Sequence, residues 1–151
     1  MKIFLFILSL LSIFLISGCD SSLVEQGNMK RLSEEAINDY FDYVKKGNYK
    51  EVVNLYADDF FGDTTKDIWE KQMKQIMKKL GPLQSFKIYQ AITKEDKNVL
   101  YSKFIYTVKY QHFNSVETFV LKKVGSESPK IVNHHINCDA LFGEFGAVPQ
   151  K

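Results

Sequence analysis

The chain has 151 residues, 20 basic and 18 acidic, for a formal net charge of +2. Hydrophobic residues make up 45 % of it, with 12 Phe, 8 Tyr and 1 Trp, a composition that excludes intrinsic disorder. The near balance of charge, without a basic block, gives no footing for a nucleic-acid partner, and two cysteines are too few for a disulfide framework.

The N-terminal segment Ile3 to Ile16 holds only apolar residues and two serines, after a single Lys2. Its 14 residues fall short of the roughly 20 that cross a bilayer as a helix, and they suit the apolar region of a signal peptide. The alternative, an uncleaved membrane helix, fits less well with the small residues Ser17 and Gly18 that follow. The run Leu15-Ile16-Ser17-Gly18-Cys19 resembles the lipobox of bacterial lipoprotein signal peptides. That resemblance implies cleavage between Gly18 and Cys19 and a diacylglycerol thioether on the Cys19 sulfur. Asp20 resembles the signal that keeps such proteins in the inner membrane of enteric bacteria. Removing residues 1–18 leaves 133 residues, with 19 basic against 18 acidic, enough for one domain with a core. With Cys19 lipidated, Cys138 has no disulfide partner and is expected as a buried thiol.

Residues 20–31 read as a polar tether, part of a lipidated N-terminus and tether over 19–32. Ser33 then reads as an N-cap, with Glu34 and Glu35 in the first turn and Leu32 and Ile37 at staple spacing. Ala36, Ile37, Tyr40, Phe41 and Val44 recur at helical spacing up to Gly47, so a first helix is expected over 33–46. A second is expected over 48–58 on Tyr49, Val52, Val53 and Tyr56, broken by Asp58-Asp59-Phe60-Phe61-Gly62. A third, capped at Thr64 or Thr65, carries Trp69, Met73, Ile76, Met77 and Leu80 and stops at Gly81-Pro82. Its Lys71, Lys74, Lys78 and Lys79 read as a solvated face.

The period then changes to alternation. Strands are expected from Phe86 to about Thr93, from Val99 to about His112, over 115–124 and over 130–138, with a tail to Lys151. Phe104, Tyr106, Val108 and Tyr110 share one face of the second strand; Ile105 and Thr107 suggest that its other face is covered too. The expected fold is α+β: three N-terminal helices on a curved four-stranded antiparallel sheet. The segments Lys46-Gly47-Asn48-Tyr49, Leu80-Gly81-Pro82-Leu83, Ser85-Phe86-Lys87-Ile88, Tyr106-Thr107-Val108-Lys109-Tyr110 and Glu117-Thr118-Phe119-Val120-Leu121 carry a second resemblance. Together they resemble small bacterial lipoproteins and secreted domains with a nuclear transport factor 2-like, or cystatin-like, fold. The resemblance covers residues 33–138 and implies a cone of sheet wrapped on a helix, often with a pocket at its open end. The domain is set at 33–142, with 143–151 as its tail.

Catalytic signatures are weak. His134-His135-x-x-Cys138-Asp139 looks metal-like, but adjacent strand residues face opposite ways, and Cys138 lies roughly 13 Å along from His134. Cys138 as a nucleophile lacks an electropositive setting. Asp58, Asp59, Asp63 and Asp67 lack the alternation of a calcium loop. Related cones use Asp, Tyr or His groups in isomerases and dehydratases; Asp39, Tyr40, Asp42, Tyr43, Tyr106 and His134 are available here, without alignment to a catalytic pattern. Trp69, Phe104, Tyr106 and His134 are the candidates for a pocket; the competing reading places Trp69 as the anchor of its helix on the sheet. The expectation is an envelope lipoprotein with a non-catalytic ligand- or protein-binding domain and no cofactor. Its partners are the membrane through the lipid and an envelope protein or small molecule. An isomerase or hydratase working in the cone, and an assembly or self-protection factor, are the alternatives.

Overall fold

The computed structural model describes residues 21–97 and 99–141. Gly18, Cys19 and Asp20 of the expected signal and anchor, and the tail 143–151, lie outside the described residues. Four helices precede four strands: α1 Ser21–Lys46, α2 Tyr49–Asn54, α3 Asp58–Phe61, α4 Lys66–Leu80, β1 Leu83–Asp96, β2 Val99–Tyr110, β3 Asn114–Lys123 and β4 Lys130–Asn137. A 3-10 turn, Asp139–Leu141, follows. The sheet is an antiparallel meander in the order β1-β2-β3-β4, and α1 lies across β1, β2 and β3. The class is α+β, with four helices among the described residues where three were expected.

α1 starts twelve residues earlier than Ser33. Met29, Ser33, Ile37, Tyr40, Phe41 and Val44 form one buried stripe at three- and four-residue steps. Ser33 is therefore an interior helical residue, with its hydroxyl 3.6 Å from Met29 Sδ. The stretch read as a tether is helix from Ser21 onward, supported by Arg31, which bonds Glu35 and Asn28 on the exposed side. Gly47, at φ 69, ends it as expected.

The expected second helix is two short ones, because the chain between them is drawn into the sheet. Tyr56 forms a parallel bridge with Ile131 of β4. Ile131 N–H donates to Leu55 C=O and Ala57 N–H donates to Ile131 C=O, both at 2.9 Å. Residues committed to that bridge cannot also propagate a helix. α4 follows the expected bounds, with Thr65 Oγ1 accepting from Ile68 N–H at 3.3 Å.

β1 runs three residues past Thr93, since Lys94, Glu95 and Asp96 pair with Tyr101, Leu100 and Val99 before the turn at Lys97. A bulge between Ile88 and Gln90 turns Tyr89 outward, 76 % exposed. In β2 the face with Ser102, Phe104, Tyr106, Val108 and Tyr110 is buried, whereas Ile105 is half-buried and Thr107 exposed. Among the described residues only the helix-facing side of the sheet is covered. The core lies between it and α1, built on Tyr40, Phe41, Phe104, Tyr106, Phe119, Leu121 and Ile131.

Candidate functional site

Alternation in β3 sends Ser115, Glu117, Phe119 and Leu121 to the helix-facing side, so a carboxyl group enters the core. Glu117 has no exposed surface. Such a group is tolerated only when its acceptor sites are filled. Tyr110 Oη donates to Glu117 Oε1 at 2.7 Å and Ser115 Oγ donates to the same oxygen at 3.2 Å. Oε2 lies 3.3 Å from His134 Nε2, and His134 Nδ1 lies 2.6 Å from Tyr56 Oη.

One proton arrangement gives every group in this set a partner. Burial pushes the phenols of Tyr56, Tyr110 and Tyr40 far above their usual value, with Glu117 adding to each rise, so all three are intact hydroxyls. Tyr56 donates to Nδ1, which leaves the proton of a neutral imidazole on Nε2, directed at the carboxylate. A doubly protonated ring would turn Tyr56 into an acceptor and strand its own hydrogen. The chain Tyr56–His134–Glu117, with Tyr110 and Ser115, is complete as it stands.

Aromatic rings fix the imidazole. His134 stacks on Phe119 at 4.2 Å and 15° and meets Tyr40 edge-on at 5.2 Å. Trp69 meets Tyr56 at 5.9 Å and Phe60 at 5.2 Å. The Trp69 indole N–H closes no hydrogen bond, yet its approach to the Tyr56 hydroxyl offsets part of the rise in that phenol. The Tyr40 and Tyr106 hydroxyls are likewise buried and unpaired among the described residues. Each unpaired polar group costs about 1–3 kcal/mol, so ring packing carries this part of the core.

No cleft among the described residues brings the four pocket candidates together. Phe104 and Tyr106 are buried in the core, and Tyr106 is separated from His134 by the rings of Phe119, Phe41 and Tyr40. Trp69 is half-buried against the core, and its ring contacts are with Tyr56 and Phe60, at the α2–α3 connection. None of the three surface clefts described is lined by any of the four. His134 and His135 do face opposite ways, one buried and one exposed. Cys138 is a buried free thiol. Asp42 pairs with Lys46, Asp58 with Lys66 and Asp59 with Lys122, all on the surface.

Of the buried cluster, His134 alone is among the site candidates read from the sequence. Glu117 carried a readable signal, a carboxylate at an inward position of an alternating strand. Tyr56 carried none, because it joins the cluster through its bridge to β4.

A hydroxyl, an imidazole and a carboxylate in this order form the relay that elsewhere activates a nucleophile. Here the side chains of Glu117 and His134 have 0 % exposure and Tyr56 is 2 % exposed. The cluster approaches solvent at Ser115, 5 % exposed, which borders a groove of about 760 Å³ beside Phe86 and Val116. Among the described residues the relay is closed to solvent and joins β2, β3, β4 and the α2–α3 connection. The chain matches no protein-family model and no curated protein.

Proposed function

We propose that the protein is a bacterial envelope lipoprotein, anchored through Cys19 on the extracytoplasmic side, whose domain is a non-catalytic binding module. In this reading the domain is a nuclear transport factor 2-like cone whose interior is filled, so that ligands are held on its outer surfaces. The observation that carries it is the sealed relay: the Tyr56–His134–Glu117 arrangement, suited to proton transfer, has no exposed imidazole or carboxylate surface. The lipobox-like run ending at Cys19 supports the anchor, and Asp20 supports retention at the inner membrane.

Two measurements on the full-length protein test this reading. Intact mass should show loss of residues 1–18 and a gain of acylated glycerol, and Cys19→Ala should abolish both. An unmodified wild-type cysteine overturns the anchor. In a ligand screen, His134→Phe should alter melting temperature without abolishing any binding; turnover of a compound that is lost in His134→Phe and Tyr56→Phe overturns the non-catalytic reading.

A further inference from the structure

We propose that the cleft between the C-terminal ends of α1 and α4 and the β2–β3 turn binds a phosphate-bearing ligand. This deepens the binding reading above and rests on it. The cleft encloses about 480 Å³, within the range of small-ligand sites. Lys45 and Lys46 enter from α1, Lys74 and Lys78 from α4, and His112 from the turn; no Asp or Glu is in the lining. Its floor is apolar, formed by Val44, Met77 and Leu83.

Two of the four lysines already have partners: Lys46 with Asp42 at 2.5 Å and Lys74 with Glu70 at 2.6 Å, each one turn back along its own helix. Lys45 and Lys78 are exposed and form no ion pair among the described residues. Part of this charge complements the negative ends of the two helix dipoles. Lys74 lies outside the last turn of α4, yet its ammonium also acts on the cleft, pulling down the Tyr49 phenol that burial pushes up. Dipole compensation therefore does not account for the convergence, which leaves a cationic rim over an apolar floor.

The walls are held by backbone. His112 N–H donates to Leu80 C=O at 3.0 Å and Gln111 N–H to Pro82 C=O at 2.9 Å, locking the β2–β3 turn onto the end of α4. Gly81, at φ 81, makes that closure possible: a Cβ there would stand 2.6 Å from His112 Cδ2. On the other side Asn48 N–H donates to Tyr43 C=O at 2.8 Å. Flexible ammonium groups on a fixed frame suit an anion with several acceptor oxygens, which is a phosphate, and the floor accepts a ring or short chain attached to it.

That chemistry has two sources, a soluble organic phosphate or the headgroup of an envelope lipid. α1, with 26 residues, spans about 39 Å, and the cleft borders its C-terminal end whereas Cys19 precedes its first residue in sequence, which favours the soluble source. Full-length protein in a neutral detergent is titrated by calorimetry with phenyl phosphate, glycerol 1-phosphate and inorganic phosphate. The expected result is saturable one-to-one binding of phenyl phosphate, weakened at least tenfold by Lys45→Ala/Lys78→Ala and unchanged by the sheet-surface control Lys87→Ala/Lys103→Ala, with all melting temperatures alike. Tighter binding of phenyl phosphate than of glycerol 1-phosphate assigns the soluble source, and the reverse order assigns the headgroup. Absence of saturable binding, equal weakening by both double variants, or no weakening by the cleft variant overturns the site. Binding of another ligand class elsewhere on the surface, with the cleft silent, overturns this site and leaves the binding reading standing.

Discussion

Replacing Glu117 with Gln tests the buried relay most finely, because it changes one acceptor into a donor and little else. The amide oxygen can still accept from Tyr110 and Ser115. Its NH2 group then faces His134 Nε2, where a proton already points at it. The imidazole can move that proton to Nδ1, but Tyr56 then accepts and its own hydrogen has no acceptor. Either way one buried donor is left unpaired, at a cost of about 1–3 kcal/mol. For a domain of this size that lowers the melting temperature by about 4–12 °C. Tyr56→Phe alone leaves Nδ1 without its donor and costs a similar amount. In the double variant the proton shift leaves a single orphan, so the two losses should not add; a coupling of about 1–3 kcal/mol is expected. Urea denaturation of wild type, both single variants and the double variant measures it. Additive losses, or a Glu117→Gln variant as stable as wild type, would refute the proton arrangement assigned to the relay.

Alkaline pH should unfold the domain by a related route. Burial holds the phenols of Tyr40, Tyr56 and Tyr110 well above 10, so the folded state keeps protons that the unfolded chain releases. Their contribution is fully present below pH 10 and is lost as pH rises beyond it, at about 1.4 kcal/mol per pH unit for each phenol. Denaturation at pH 9 and pH 11 should differ accordingly; equal stability would contradict it. Ser33→Ala should change stability by no more than about 0.5 kcal/mol, since Ser33 is an interior helical residue, and a loss of about 1 kcal/mol or more would restore it as a cap. Gly81→Ala should cost about 1–3 kcal/mol, read as a lower urea midpoint, because φ 81 with ψ 179 suits glycine and the new methyl meets the His112 ring. An unchanged midpoint would show that the turn yields.

Much of this fold is legible because its signals are local. Thr65 and Gly81-Pro82 bracket α4 as a cap and a stop, and the alternation of β2 names its buried face residue by residue. Ser33 misleads for an equally local reason: its hydroxyl suits a cap, but a small side chain is also accepted on the buried face of a helix already formed. The split of α2 from α3 has no local mark, neither glycine nor proline, since it depends on a bridge to Ile131 seventy-five residues on from Tyr56. The same distance hides the relay. The cleft is divided in the same way, with Lys45 and Lys46 in the last turn of one helix and Lys74 and Lys78 on another, where the sequence shows only part of a solvated face.

The central claim is that the proton-relaying cluster of Tyr56, His134 and Glu117 is a closed clasp and not a working pocket. Its most direct measurement is solvent exchange of the His134 Nε2 proton, followed by nitrogen-15 NMR of the folded protein. A clasp predicts a visible proton, bonded toward Glu117, that exchanges only as the whole domain unfolds and so tracks global stability. A proton that exchanges freely under native conditions, independently of denaturant, would show that solvent and substrates reach the imidazole, and would contradict the account.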